Sequence, residues 1–84
     1  MKLLWTDIAW EDYIYWSSHN KKILDRINKL MKDIEVNPFH GIGKPEPLKF
    51  DLQGKWSRRI NSEHRLVYEI SKNKIIIYSC RYHY

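Results

Sequence analysis

Glu46 stands between Pro45 and Pro47, the only acidic residue between Glu35 and Asp51, in a stretch that also carries Lys44 and Lys49. Proline on both sides restricts the backbone, so the carboxylate is held out from a stiff segment where it can exchange a proton. Taken alone, a salt bridge to one of those lysines is the simpler account. His83, next to the last residue, carries an imidazole, whose ordinary pKa of about 6.5 best suits proton transfer near neutrality. A histidine at a chain end is more often a solvated residue, and it needs neighbours to matter. The candidate neighbours are Arg59 and Arg65, which the strand pattern described below sets opposite each other. Two guanidinium groups so placed repel by up to about 1 kcal/mol. A fold tolerates that cost where the two forks hold phosphate or carboxylate. The competing account is that Glu63 or Glu69 neutralises them.

Other patterns carry less chemistry. Gly41-Ile42-Gly43-Lys44 resembles the end of a phosphate-cradling loop, but the first glycine spacing and the Ser or Thr after the lysine are missing. His19, His40, His64 and His83 lack the paired spacing of a zinc site. Neither a metal nor another cofactor is expected. The lone Cys80 cannot form an internal disulfide and reads as a core residue. Trp5, Trp10 and Trp56 are likewise expected in the core rather than as stacking platforms.

The elements that must position these groups differ between the two halves of the chain. Residues 2–5 read as an opening strand, and Thr6 as the cap of a helix running from about 7 to 18. Ala9, Trp10, Tyr13 and Ile14 would form its buried stripe. Asn20 caps a second helix, in which Ile23, Leu24, Ile27, Leu30, Met31 and Ile34 follow the i, i+3, i+4, i+7 pattern until Asn37-Pro38 ends it. Residues 37–47 hold all three prolines and two of the three glycines and read as a loop. The period then changes to two. Leu48, Phe50 and Leu52 alternate with polar residues, and strands are expected at 55–60, 65–70 and from 74 to 82 or beyond. The order β-α-α-β-β-β-β predicts an α+β domain covering residues 1–84, with two N-terminal helices packed on an antiparallel, twisted sheet.

Register decides which side chains share a face. Leu66, Tyr68 and Ile70 form one core set, Trp56 and Ile60 another. Pairing the two requires Ile60 to face His64, which puts Arg59 opposite Arg65. Arg58 then falls on the core side, a blemish that an edge position or a snorkelling stem would absorb. A three-residue turn at 71–73 would bury Ile76, Tyr78, Cys80 and Tyr82 and send Arg81 and His83 to the arginine face. A two-residue turn would do the reverse, and the pattern does not choose between them.

The chain has 84 residues, with 43% hydrophobic and 30% charged, which excludes a disordered chain, a collagen-like repeat and a low-complexity linker. No apolar run approaches the roughly 20 residues that span a bilayer. The opening does not read as a signal peptide, and a cytoplasmic protein without membrane contact is expected. Residues 1–37 balance six basic against six acidic side chains, whereas residues 38–84 set nine basic against four acidic and so hold the whole +5. A basic half suits a polyanion partner, although a solubilising surface charge explains it equally well.

Four stretches in order, Lys44-Pro-Glu-Pro-Leu-Lys49, Trp56-Ser-Arg-Arg-Ile60, Glu63-His-Arg-Leu-Val-Tyr68 and Cys80-Arg-Tyr-His-Tyr84, resemble the YoeB family of YoeB–YefM toxin–antitoxin pairs, within the RelE-like toxins. The opening Met1-Lys-Leu-Leu-Trp5 and Trp10-Glu-Asp-Tyr-Ile-Tyr-Trp16 fit it as well. The resemblance implies a RelE-like microbial RNase fold and a type II toxin. Such a toxin is a ribosome-dependent endoribonuclease that cuts messenger RNA in the decoding A site without a metal. It also implies inhibition by a YefM-like antitoxin and a homodimer. By the same resemblance Glu46 is the general base toward the ribose 2′-hydroxyl, and His83 the general acid toward the departing 5′-oxygen. Arg65 with Arg59 stabilises the five-coordinate phosphate, Lys49 binds substrate phosphate, and Tyr84 positions the RNA and the histidine. It favours the three-residue turn, which sets His83 beside Arg65. Spacing alone leaves the reverse roles for Glu46 and His83 open. The alternative from another class is a non-catalytic toxin of the RelE/ParE fold that binds gyrase or nucleic acid.

Overall fold

The computed structural model describes residues 1–82; His83 and Tyr84 lie outside the described residues. Strand β1 (Lys2–Trp5) leads into helices α1 (Asp7–His19) and α2 (Lys21–Val36). Strand β2 (Glu46–Pro47), a 3-10 turn (Phe50–Leu52), and strands β3 (Trp56–Arg59), β4 (Arg65–Ser71) and β5 (Lys74–Ser79) follow. Both helices start where the sequence supplies a cap. The Thr6 hydroxyl accepts from the Ala9 N–H at 3.1 Å, and the Asn20 side chain from the Ile23 N–H at 3.2 Å. The Asn37 N–H donates to the Asp33 carbonyl at 2.7 Å, and Pro38 stops α2 there. The sheet order is β1-β5-β4-β3-β2. Neighbours from β5 to β2 are antiparallel, but β1 joins β5 in parallel, so the sheet is mixed rather than wholly antiparallel. Those two strands stand at opposite ends of the chain, and no hairpin obliges them to run in opposite directions. Among the described residues no helix is long and apolar enough to cross a membrane.

The core joins Ile27, Leu30 and Ile34 of α2 to Leu66 and Tyr68 of β4 and Ile75 and Ile77 of β5, with Ala9, Trp16, Ile60 and Cys80 closing it. The α2 stripe is as its spacing requires, whereas the α1 stripe is not: Trp10 and Ile14 are exposed, and Trp16 is buried instead. Apolar and aromatic side chains lie all round α1, so spacing alone selects no face. The choice falls to polar groups. The Trp16 indole N–H donates to the Cys80 carbonyl at 2.8 Å, and Asp12 accepts the Cys80 N–H at 3.0 Å. Trp5 and Trp56 pack partly against the core.

Further expectations change. The alternation of Leu48, Phe50 and Leu52 does not make a strand: Phe50 has φ +56° in the 3-10 turn and is 90% exposed. Pairing with β3 ends soon after Pro47, where the Leu48 N–H donates to the Lys55 carbonyl at 2.9 Å. Val67, expected outside, is buried as well. The hairpin at Lys72-Asn73 has two residues, not three, since Ser71 pairs with Lys74. Both turn residues have positive φ, which suits the twist of a two-residue hairpin. Ile75 and Ile77 are therefore buried instead of Ile76 and Tyr78. Register then shifts, because Tyr68 pairs with Ile77 while Val67 pairs with Ser79, leaving Tyr78 as an extra residue. That bulge returns Cys80 to the core. The strand ends at Ser79, short of the expected 82, Tyr82 is exposed, and Arg81 turns to α1.

Candidate active site

Glu46 lies opposite Ser57, Ser57 opposite Val67, and Val67 opposite Ser79. Directly opposed residues of antiparallel strands share a face, as do residues two apart along a strand. Arg59, two residues after Ser57, and Arg65, its opposite partner, are thus on the same face as Glu46. Glu46 and Arg59 are diagonal neighbours, about 7–8 Å apart in such a ladder. A two-residue edge strand does this, where the sequence suggests only a loop; prolines are tolerated because the edge does not need their missing N–H groups. Lys49 lines the same hollow as Glu46, a space of about 390 Å³ shared with Pro47, Leu48, Phe50 and Leu52.

Neither Glu63 nor Glu69, the glutamates of the competing account, pairs with the two arginines. Glu63 lies 3.5 Å from His64 Nε2, and Glu69 accepts the Tyr78 hydroxyl at 2.6 Å. The Arg65 guanidinium bends over the turn before β4 and donates to the Asn61 and His64 carbonyls at 2.7 and 3.1 Å. The Arg59 N–H donates to the Gly43 carbonyl at 2.6 Å, tying β3 to the loop that leads to Glu46.

Arg58 is no blemish at an edge: its side chain is wholly buried. Nη1 donates to Asp33 Oδ2 at 2.5 Å and to the Ile42 carbonyl at 3.1 Å. Nη2 donates to the Asn37 and His40 carbonyls, and Nε to the Tyr68 hydroxyl at 3.2 Å. Tyr68 in turn donates to the Pro38 carbonyl at 2.6 Å. One cation therefore satisfies the inward carbonyls of a loop that has no secondary structure of its own. The guanidinium beside Asp33 holds its carboxyl below the usual aspartate value, helped by the Ile42 N–H. The loop glycines permit this closeness. At Gly41, with φ +121°, a Cβ would stand 2.1 Å from Asp33 Oδ2; at Gly43, with φ +81°, it would stand 2.8 Å from Leu30 Cδ2. Gly41-Ile42-Gly43 thus lets the loop approach the half-buried Asp33 carboxylate and the buried Arg58 guanidinium. The sequence signal was an acid, Asp33, beside the apolar stripe of α2.

At the other end of the site, residues 80–82 are tied by separate contacts. Besides the Cys80 bonds to Asp12 and Trp16, His64 Nδ1 accepts the Tyr82 N–H at 2.7 Å, and the Arg65 N–H donates to the Tyr82 carbonyl at 3.0 Å. His64 is buried edge-on to Trp16, and its accepting Nδ1 places the ring proton on Nε2, toward Glu63. Arg81 lies 3.5 Å over the Tyr15 ring, not on the arginine face. Burial pushes the Cys80 thiol up to about 12, which leaves it inert. Of the residues selected from sequence, Glu46, Arg59 and Arg65 share a face and Lys49 shares a hollow with Glu46. His83 and Tyr84 lie outside the described residues, directly after Tyr82 in sequence. Ser57, Arg58, Asp33 and His64 were not selected. Among the described residues no three His, Cys, Asp or Glu side chains gather as metal ligands would.

A family model for the YoeB-like toxin of bacterial type II toxin–antitoxin systems matches residues 5–84. The toxin YoeB of Escherichia coli strain K12 is 54% identical over 84 residues, covering all of both chains. A solved YoeB/ParE toxin from Agrobacterium tumefaciens matches with a TM-score of 0.98 and 45% identity, again over all of both chains. Two solved Staphylococcus aureus structures, a YoeB–YefM complex and a YoeB dimer, match with TM-scores of 0.93 and 0.94 and identities of 50% and 49%. Each covers all of this chain and 98% of its own. With its sequence and its fold both matched from end to end, the chain belongs to the YoeB-like toxins of bacterial type II toxin–antitoxin systems.

Proposed function

We propose that this toxin is a metal-independent endoribonuclease that cuts messenger RNA in the ribosomal A site and so stops translation. RNA carries its own nucleophile, so the protein has to supply a base, an acid and cations aimed at one phosphate. Glu46 takes the proton of the ribose 2′-hydroxyl, and the 2′-oxygen attacks the adjacent phosphorus. Arg65 and Arg59 stabilise the charge that gathers on the five-coordinate phosphate. His83 protonates the departing 5′-oxygen, which leaves a 2′,3′-cyclic phosphate and a 5′-hydroxyl. Lys49 holds substrate phosphate, and Tyr84 positions the RNA and the histidine. A positioned base or acid contributes about 10²–10⁴-fold, and preorganised cations often contribute more. The ribosome supplies the remaining alignment by presenting the 2′-oxygen in line.

The observation that carries this reading is the common sheet face of Glu46, Arg59 and Arg65. The hold of the Arg65 N–H on the Tyr82 carbonyl, one residue before His83, adds to it. Residues 1–84 act as one toxin domain in the cytoplasm, as a homodimer when free and silenced by a YefM-like antitoxin. The Staphylococcus aureus complex and dimer support those two assemblies. Primer extension on ribosome-bound message tests the chemistry. Discrete A-site cuts are expected from the parent chain and are lost, by about 100-fold or more, in His83→Ala and Glu46→Ala. A fully active His83→Ala would overturn the acid–base assignment. Growth arrest without cuts would identify a binding toxin instead.

A further inference from the structure

The 3-10 turn beside Glu46 carries a feature that the chemistry above leaves unused. Phe50 is 90% exposed, yet its backbone is held at φ +56°, a left-handed conformation that side chains bearing a Cβ rarely adopt. The turn is closed by backbone bonds from Leu52 to the Lys49 carbonyl at 3.1 Å and from Gln53 to the Phe50 carbonyl at 3.0 Å. Its base is tied by the Lys55 N–H to the Leu52 carbonyl at 3.0 Å. The ring is therefore displayed from a constrained backbone and receives almost no packing in return. A lone exposed apolar side chain is ordinary on a protein surface. Here exposure and backbone constraint coincide with position, for Phe50 lines the same hollow as Glu46 and Lys49. An aromatic face, an ammonium group and a carboxylate are what a base, a phosphate and a ribose hydroxyl respectively require. Unpaired RNA bases stack on such exposed rings with little sequence demand.

We propose that Phe50 is a stacking platform for a nucleobase flanking the cleaved linkage of the RNA substrate. The proposal rests on the endonuclease reading and adds a base-binding contact to it. The nucleobase lies on the ring while Lys49 holds a neighbouring phosphate, which fixes the strand against the Glu46 side of the sheet.

The test compares Phe50→Ala, Phe50→Leu and Phe50→Trp for cutting of ribosome-bound message. It also measures their binding to the same message made uncleavable by a 2′-O-methyl group at the cut site. Phe50→Ala and Phe50→Leu are expected to lower cleavage efficiency and weaken binding by about 5- to 100-fold, mainly through KM. Phe50→Trp is expected to restore both, and the melting temperature to stay at the parent value in all three. Parent-like cleavage and binding by Phe50→Ala overturns the proposal, as does rescue by Leu equal to that by Trp. A Phe50→Ala protein that cuts normally but escapes the antitoxin assigns the hollow to the antitoxin and also overturns it. A parent chain that binds the uncleavable message but never cuts the normal one sinks the endonuclease reading alone, with stacking judged on the binding series. A parent that does neither overturns both.

Discussion

Residues 37–43, which lead to Glu46, and residues 80–82, which lead to His83, flank the same arginine pair but are held by different physics. The loop is gathered around one buried guanidinium, which reaches Asp33, three backbone carbonyls and the Tyr68 hydroxyl. The tail is held by single bonds to Asp12, Trp16, His64 and the backbone of Arg65, spread over α1, the turn before β4 and the start of β4. A buried charge cannot lose its partners cheaply, so the loop holds or fails as a unit. Most of the tail's hydrogen bonds are neutral, worth about 0.5–1.5 kcal/mol each, and the one to the Asp12 carboxylate is stronger, so the tail depends on several independent contacts. One side of the site is thus organised by a single buried group, and the other by several separate contacts.

Arg58→Met gives the sharpest test of that contrast. Removing the cation takes one partner from the half-buried Asp33 carboxylate, which keeps the Ile42 N–H, and leaves the carbonyls of residues 37, 40 and 42 without their donor. Unfolding by denaturant should show a loss of about 2–4 kcal/mol, chiefly from those carbonyls. A loss below about 1 kcal/mol would mean that the loop is held by something else.

His64→Ala should show the opposite balance. Stability is expected to fall by about 1–2 kcal/mol. Cleavage should slow by about 10- to 100-fold, since small misplacements of an acid are costly. His64→Asn, whose Oδ1 can stand where Nδ1 stood, should recover part of the rate. Equal rates for all three proteins would show that the tail needs no help from His64.

The smallest expected effect is on pH dependence, and it has opposite signs on the two sides. The folded-state pKa of Asp33 lies below the ordinary aspartate value of 3.8 because of Arg58. Its stabilisation is complete above 3.8 and is lost as pH falls through the lower folded value. Burial raises the pKa of Asp12 above 3.8, against the Cys80 N–H, so its contribution worsens as pH rises from 3.8 through its folded value. Urea unfolding from pH 3 to pH 6 should therefore rise less steeply with pH in Asp33→Asn than in the parent, and more steeply in Asp12→Asn. Parallel curves for the parent and both variants would remove the contrast.

How far each region can be read in advance follows from the kind of information that fixes it. Helix α2 was legible because its apolar stripe has one period and one outcome. The Arg59–Arg65 pairing was legible because Ile60 opposite His64 leaves a single register for the hairpin. The face of α1 was not, since Trp10, Tyr13, Ile14 and Trp16 supply apolar candidates in several directions and a contact 64 residues away chose among them. Arg58 was misread because pattern rules assign polarity to a face and cannot see carbonyls arriving from a distant loop. The spacing does not choose the turn before the last strand, the family resemblance favours the wrong length, and the bulge at Tyr78 leaves no trace in the pattern.

By itself the sequence determined the residue types available for chemistry, the two helices, the basic second half and the pairing of two arginines, because local periodicity and short turns specify them. Only the tertiary structure decided that Glu46 belongs to an edge strand on the arginine face. It alone decided that a buried cation organises the loop, and that a bulge and His64 direct the tail. Each depends on backbone groups far apart in the chain finding hydrogen-bond partners, and no one-dimensional pattern records which partner they find.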